Sequence, residues 1–380
     1  MTTYLDNAAS TKIDERVLDA MLPYLKENYG NPSSAHKQGK LLKVLIEDAR
    51  ESIAGFFGTK PKEIFFTSGG TESNNFAIKG CAFASGGKFH GITSSIEHPA
   101  VLETYNYLCK FGFEADVVKP DSCGMISPSS IESKIKDSTK LVSVMHANNE
   151  IGNINDVKTI SGICRSRGIL FHSDTVQSIG KMSVKPKELG MDFLTLSAHK
   201  IYGPKGIGIL FVDGNVKIDK YVHGGSQERN MRGGTENAAS IAGLKRAVEI
   251  LKDSMEDDIE HCASLKNILI KELNGSFSGM YVINGNQECS LPNILNVSFL
   301  PSKLKFSSGM LPVLLDLKDV AVSGGSACSS GSLKPSGVLL EMGIEESIAS
   351  STIRVSFGRF NTVKDVDILI KSLKEIFGKN

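Results

Sequence analysis

The chain lacks the features that mark several large classes of protein. Its 380 residues carry 43 basic and 42 acidic side chains, a formal net charge of +1, so there is no basic excess of the kind seen in nucleic-acid-binding proteins or electrostatic membrane anchors. No apolar run approaches the roughly 20 residues that span a bilayer. The N-terminal stretch "MTTYLDNAAS" has neither the basic nor the apolar region of a signal peptide. We therefore expect no nucleic-acid or membrane partner and a cytoplasmic location.

Cysteine is also scarce. The seven cysteines are scattered along the chain, an odd number with no C-x-x-C pair. This usage is typical of a reducing compartment and argues against a disulfide framework and a zinc site. We therefore expect no metal site, and the fold must be stabilised by its core, for which 41% hydrophobic residues are sufficient.

The order of apolar and amphipathic stretches predicts an α/β fold. Short apolar runs such as "EIFFTS", "FHGITSS" and "ILFHSD" alternate with longer amphipathic stretches through the first two-thirds of the chain, which predicts a mainly parallel sheet flanked by helices. A long helix is predicted over 239–274, with its charged segment 252–260 as a solvated face. The remainder indicates a smaller α/β domain. We place the large domain at 12–256 and the smaller one at 1–11 together with 257–380.

Polar residues follow the predicted strands, where ligands bind in open parallel sheets. Gly69, Gly70 and Thr71 follow "EIFFTS" and begin a helix, so their N–H groups and hydroxyl could hold an anion. Asp174 ends the strand "FHSD", and His98 immediately precedes another predicted helix. Either residue could instead cap a helix, so each alone is weak evidence for a site.

A charged residue at the end of a buried strand is more informative. Lys200 lies beside His199, directly after the apolar run "LTLS", and burying its ammonium group unpaired would cost several kcal/mol. Asn148 and Asn149 end another strand, where turn formation is the ordinary interpretation. Together, an anion cradle, a carboxylate, a histidine and a lysine fit pyridoxal phosphate, whose phosphate, ring nitrogen, ring face and aldehyde need such partners. A lysine in a low-dielectric site can form the required Schiff base.

The chain resembles the NifS/IscS-type cysteine desulfurases, which are class V pyridoxal-phosphate enzymes of the aminotransferase fold. The resemblance runs from "YLDNAAST" and "YGNPSSAH" to "STIRVSFGRF". Its most specific stretches are "TSGGTESNN", "EHPAV", "MHANNEIG", "HSDTVQSIGK", "SAHKIYGPKG", "RGGTEN" and "SGGSACSSGS". The resemblance implies fold type I of the pyridoxal-phosphate enzymes, with a large domain, a smaller α/β domain and a homodimer.

The resemblance also implies roles around the cofactor ring. Lys200 would carry the cofactor and move protons on the substrate carbons. Asp174 would pair with the ring nitrogen, and Gln177 would hydrogen-bond the ring hydroxyl. His98 would stack on the ring and act as an acid or base, while Asn149 would lie beside the ring near the substrate.

Other residues would hold the phosphate and the substrate. The phosphate ligands implied by the resemblance are Gly70, Thr71, Ser197 and His199 of one chain and Thr235, in "RGGTEN", of the partner subunit. Arg354 would clamp the substrate carboxylate with its bidentate fork. Asn31 and His36 would border the substrate pocket.

The stretch "VSGGSACSSGSLKP" has two interpretations. Its composition is typical of a flexible surface loop with an incidental cysteine, whereas the resemblance makes Cys328 the residue that attacks the substrate sulfur and becomes a persulfide. L-Cysteine would then leave as L-alanine, and the loop would pass the sulfur to an Fe–S scaffold or a thiolation protein. The chain ends at "EIFGKN", short of the segment with which many IscS-type members dock a scaffold, so both acceptors stay open.

Three other functions compete with the desulfurase. A selenocysteine lyase or a related class V lyase would use the same cofactor site. An aminotransferase would have no use for Cys328. A non-catalytic sulfur-relay hub would not need the intact set of Lys200, Asp174, His98 and Cys328.

Overall fold

The structure, a computed structural model, describes residues 2–304, 306–324 and 334–378. Cys328 lies outside these ranges. The strands are β1 (Thr3–Tyr4), β2 (Ile64–Thr67), β3 (His90–Ser94), β4 (Glu114–Val118), β5 (Thr139–Ser143), β6 (Leu170–Asp174), β7 (Phe193–Ser197), β8 (Gly208–Val212), β9 (Tyr281–Ile283), β10 (Ile294–Phe299), β11 (Val320–Ala321) and β12 (Thr352–Ser356). The helices are α1 (Glu15–Lys26), α2 (Lys37–Phe57), α3 (Gly70–Ala84), α4 (Pro99–Cys109), α5 (Pro128–Glu132), α6 (Val157–Ser166), α7 (Gln227–Asn230), α8 (Ala238–Phe277), α9 (Leu311–Asp316), α10 (Gly337–Glu341), α11 (Glu346–Ala349) and α12 (Val363–Phe377).

The central sheet of the described chain has seven strands in the order β2–β8–β7–β6–β5–β3–β4. Strand β8 is antiparallel to both of its neighbours, and the remaining pairs are parallel. Helices α3, α4 and α6 follow β2, β3 and β5 in the chain. The predicted fold, a mainly parallel sheet flanked by helices, is confirmed.

The sheet is buried on both faces, as parallel sheets normally are. On β2, Phe65 packs with Phe76 of α3 in one core, whereas Phe66 packs in a second core that includes residues of α2. Phe193 and Leu194 on β7 divide between the same two cores. Successive side chains of a strand point to opposite faces, so these apolar runs need helices on both sides.

The long predicted helix is confirmed as α8, and it contributes side chains to two separate hydrophobic cores. Ile241, Leu244 and Leu251 are among its residues in the large core, whereas Cys262, Leu269 and Phe277 are among those in another core. Segment 252–260 has no buried residue, which confirms it as a solvated face. Among the described helices, none is both long enough and apolar enough to cross a bilayer.

The core around the second half of α8 contains the antiparallel sheet β12–β10–β9 and helix α12. Leu5 of the N-terminal segment packs there as well. On this basis we propose the domain boundaries predicted from the sequence, 12–256 and 1–11 with 257–380. One stretch of the smaller unit packs in the large core instead, through Val338, Leu339, Met342 and Ala349.

Candidate active site

A cavity of about 280 Å³ lies at the carboxyl ends of β6 and β7 and beside the first turn of α3. It is the place where most of the predicted site residues meet. Those that line it are Gly70, Thr71, His98, Asn149, Asp174, Gln177, Ser197, His199, Lys200 and Arg354. The parallel sheet thus delivers groups from distant parts of the sequence to one edge, as predicted from their positions after strands.

Lys200 reaches this cavity from a single 3-10 turn, Ala198–Lys200, directly after β7. Its Nζ donates to the carbonyl oxygen of Ala9 at 2.8 Å and also to that of Ala8. Gln177 Nε2 donates to the same Ala8 oxygen at 2.9 Å. The N-terminal segment therefore supplies the carbonyl groups that hold an ammonium group beside an apolar strand.

The first turn of α3 forms an anion cradle. Gly69, which precedes the helix, has φ of 148°, a conformation that residues with a Cβ rarely adopt. A Cβ on Gly70 would lie 3.0 Å from Val176 Cγ2, so this approach also favours glycine. The first N–H groups of a helix have no intrahelical acceptor, and the helix dipole favours an anion there.

Two further groups line the same cavity. Ser197 ends β7, and His199 follows it with Nδ1 3.2 Å from Ser10 Oγ. Burial, together with the charges of Lys200 and Lys205, lowers the pKa of His199 to about 4. His199 is therefore neutral at neutral pH and can contribute a hydrogen bond but no cationic charge.

Asp174 has both of its carboxylate oxygens engaged. Oδ1 accepts the N–H of Val176 at 3.0 Å, and Oδ2 accepts Nδ2 of Asn74 at 2.7 Å. The side chain is nevertheless part of the cavity wall. Local turn formation and a place in the site, which are alternatives from the sequence alone, therefore coexist at this residue.

His98 and the asparagine pair show the same combination. His98 Nδ1 accepts the N–H of Ala100 at 3.0 Å and caps α4, yet its ring lines the cavity. Asn148 is a turn residue, since Oδ1 accepts the N–H of Glu150 at 2.8 Å. Asn149, next to it, lines the cavity.

Arg354 on β12 is buried, with its side chain 4% exposed. Nη1 donates to the carbonyl oxygen of Asn149 at 2.8 Å, and Nη2 donates to Asp6 Oδ1 at 2.7 Å and to Ser323 Oγ at 3.0 Å. Its Nε has no hydrogen-bond partner among the described residues. A buried, unpartnered donor at a cavity is suited to an anionic ligand.

Three residues to which the resemblance gives a role do not line this cavity, and a fourth lies outside the described residues. Asn31 is exposed and accepts the N–H of Ser33 at 2.9 Å. His36 caps α2 by accepting the N–H of Gly39 at 3.3 Å. Thr235 lines a separate cavity, and Cys328 lies outside the described residues. Their predicted roles stay predictions.

The cavity also contains residues that sequence reasoning did not single out: Ala8, Ala9, Asn74, Met145, Ala147 and Val176. Most contribute backbone or apolar surface, which carries no signal in one sequence. Asn74 is different, because its side chain bonds Asp174. It lies one helical turn after Gly70, and that spacing on α3 could have indicated it.

Comparison with known proteins gives consistent matches along the chain. Residues 3–369 match the family model described as aminotransferase class-V. The cysteine desulfurase IscS of Dictyoglomus turgidum is 45% identical over 377 residues, which cover 99% of this chain and 94% of that protein. A solved structure named "NIFS-LIKE PROTEIN" is 38% identical, with a TM-score of 0.92 and 100% of both chains covered. Another, "SspA in complex with cysteine", is 35% identical with a TM-score of 0.83 and covers 95% of this chain and 100% of that one.

Proposed function

The chain belongs to the class V aminotransferase family, and from this premise we propose that it is a pyridoxal-phosphate-dependent cysteine desulfurase. It converts L-cysteine to L-alanine and transfers the sulfur as a persulfide on Cys328. One observation carries the proposal: Lys200, Asp174, Arg354 and the first turn of α3 line the same cavity. Relatives named as cysteine desulfurases over almost the full length of the chain support it.

The residues of the cavity fit the cofactor. The glycine cradle at the start of α3 can accept the phosphate, with Thr71, Ser197 and His199 beside it. Asp174 would face the ring nitrogen, and Lys200 would bind the aldehyde carbon. When bound, the cofactor supplies an electron sink for the bond broken at the substrate Cα.

The chain's own residues bind and orient the substrate. Arg354 would bind the carboxylate of L-cysteine. The donors that remain available within the described chain are Nε and the second hydrogen of Nη1, since the others contact Asn149, Asp6 and Ser323. Lys200 would take the proton from the substrate Cα and later deliver one to the Cβ of the product. His98 has Nδ1 engaged by Ala100, so proton exchange with the substrate thiol would use Nε2.

The segment that contains Cys328 joins two described stretches beside the site. Ser323, before it, accepts a hydrogen bond from Arg354. Ser336, after it, donates one to the buried Glu150, the neighbour of Asn149. One flank therefore bonds a residue that lines the cavity and the other bonds the neighbour of one, which supports Cys328 as the residue that receives the substrate sulfur.

We also propose the assembly and the acceptors implied by the resemblance. Thr235 does not line the cavity of its own chain, which is compatible with a homodimer in which it contacts the phosphate of the partner subunit. The sulfur acceptor is an Fe–S scaffold or a thiolation protein, and the location is cytoplasmic.

Peptide mass spectrometry after brief incubation with L-cysteine, without reductant and with alkylation, tests the function. We expect one additional sulfur on the Cys328 peptide of the wild type, and none in Lys200→Ala. Cys289→Ser, a change at an exposed cysteine, is the matched control and should leave the modification in place.

The other outcomes separate the alternatives. A wild type that binds the cofactor but gains no sulfur would favour the selenocysteine lyase or the aminotransferase, and its relative rates on L-cysteine and L-selenocysteine would identify the lyase. A wild type with neither cofactor nor added sulfur would make the non-catalytic hub the better explanation.

A further inference from the structure

A chain of hydrogen bonds leads from Asp174 into the interior. Asn74 Nδ2 lies 2.7 Å from Asp174 Oδ2, and Asn74 Oδ1 lies 3.2 Å from His172 Nε2. His172 Nδ1 lies 3.1 Å from Ser143 Oγ, which lies 2.8 Å from the hydroxyl of Tyr105. All five side chains are buried. Hydrogen-bonded polar side chains therefore extend from the cavity wall into the protein interior.

The fold brings these groups to one face of the sheet. Ser143 on β5 pairs with His172 on β6. His172 and Asp174 are two residues apart on the same strand, so their side chains point to the same side. Helix α3, which packs on the sheet, contributes Asn74, and α4 contributes Tyr105.

The direction of each hydrogen bond follows from the two neighbours of Asn74. Asn74 turns its NH₂ to Asp174 and its carbonyl oxygen to His172, since a carboxylate oxygen accepts and an amide NH₂ donates. Burial lowers the pKa of His172 to about 4, so the ring is neutral and its proton lies on Nε2. Nδ1 then accepts from Ser143, which accepts from Tyr105. Every donor in this series of hydrogen bonds therefore points toward the Asp174 carboxylate.

On the basis of the proposed function, we propose that Asn74 is a positioning residue that holds the Asp174 carboxylate turned toward the cofactor ring nitrogen, supported by the donors from His172 to Tyr105. Donors to a carboxylate favour its charged form. Hydrogen bonds aligned in one direction also strengthen one another in a low-dielectric interior. A carboxylate held in one orientation is what a protonated ring nitrogen requires as its partner.

The test observes that nitrogen directly, by nitrogen-15 NMR of holoenzyme reconstituted with ring-labelled pyridoxal phosphate. Asn74→Leu keeps the branched shape of the side chain and removes the donor. We expect the ring-nitrogen resonance to move toward its unprotonated position, and the Kd of the cofactor to rise roughly tenfold or more, as for the loss of a hydrogen bond to a charged group.

A conservative variant should rescue the resonance. In Asn74→Asp the introduced carboxyl group would lie next to Asp174. Two carboxyl groups at such a short distance share one proton. The protonated one donates to the other, so the hydrogen bond to Asp174 is restored. We expect a resonance close to that of the wild type.

Asn284→Leu is the matched control, because Asn284 is a buried amide bonded to Asn296 and Ser298 away from the cavity. It should keep the wild-type resonance whatever its stability. Tyr105→Phe removes only the last hydroxyl, and it decides the question if Asn74→Leu does not fold; a smaller displacement in the same direction supports the proposal.

Two outcomes overturn the inference alone. One is a wild-type resonance in Tyr105→Phe and in any folded Asn74→Leu, and the other is an equal displacement in Asn284→Leu. A wild type that binds no cofactor would overturn the proposed function, and this inference with it.

Discussion

At the scale of single residues, the proposed role of Arg354 depends on a guanidinium that the protein already holds in place. Contacts with Asn149, Asp6 and Ser323 fix the plane of the guanidinium, while Nε has no partner among the described residues. A guanidinium held in one plane presents its remaining donors, on Nε and Nη1, in fixed directions, which a flexible ammonium group does not. The specificity for an amino-acid carboxylate should therefore depend on the shape of this side chain as well as on its charge.

Arg354→Lys tests this idea. It keeps the charge but removes the fork, so we expect the KM for L-cysteine to rise roughly 10- to 100-fold, the range for a lost charge-assisted hydrogen bond, with kcat changed much less. Steady-state kinetics of alanine formation gives both constants. Arg246→Lys, on the exposed side of α8, should change neither; an unaltered KM in Arg354→Lys would exclude the clamp.

The sequence indicated the chemically distinctive residues well and the supporting ones poorly. Lys200 is unusual at the end of a buried strand, and it predicted a site in combination with Asp174 and His98, each of which was weak evidence alone. Ala8 and Ala9 act through carbonyl oxygens, a group that every residue has, so nothing in their type indicates the role. Asn74 has an ordinary type on a helix, and only its contact with Asp174 distinguishes it.

At the scale of secondary-structure elements, Glu97 joins the ends of two strands beside the site. Its Oε1 accepts a hydrogen bond from the hydroxyl of Ser94, at the end of β3, at 2.6 Å. It accepts another from the N–H of Met145, just after β5, at 2.9 Å. Burial raises the pKa of Glu97 to about 8. A neutral acid in this position fixes the turn that leads into His98.

This pKa gives a prediction with a definite sign. The native state holds the Glu97 proton up to about pH 8, whereas the unfolded state loses it near 4.3. The stabilisation is therefore complete below the unfolded value and is lost as the pH rises toward 8, by about 1.4 kcal/mol per pH unit for one proton. Glu97→Gln, which cannot ionise, should not show this loss.

Denaturant unfolding of both proteins at several pH values between 5 and 9 measures the difference. The wild type should lose stability relative to Glu97→Gln up to about pH 8, and the difference should then level off. Glu103→Gln, on α4 and outside this contact, is the matched control and should follow the wild type. Parallel curves for the wild type and Glu97→Gln would show that the native state holds no such proton.

The elements themselves were largely predictable because their periodicity is local. Apolar runs at β6 and β7 and the long pattern at α8 follow directly from burial on two faces or on one stripe. The antiparallel direction of β8 was not predictable in this way, because pairing depends on how the loop after Lys200 returns. Gly208 shows this constraint: a Cβ there would lie 2.4 Å from the Leu196 carbonyl oxygen.

At the scale of the whole molecule, the proposed division into two units depends on α8. Leu244 packs in the large core and Leu269 in the smaller one, and both are fully buried. One continuous helix could make the two units unfold together, or each core could open independently. The active site contains residues from both, such as Lys200 and Arg354, so the answer determines how independent their movements are.

Leu269→Ala and Leu244→Ala distinguish these cases, since each removes the same side chain from one core at a cost of about 2–5 kcal/mol. If the proposed boundary is correct, Leu269→Ala should accelerate hydrogen exchange in β10, β12 and α12 and leave β5 to β7 near their wild-type rates, because sub-global openings follow cooperative units. Leu244→Ala should show the reverse. Uniform acceleration in both variants would mean that α8 makes the chain one cooperative unit, and Lys200 and Arg354 would then belong to a single rigid framework.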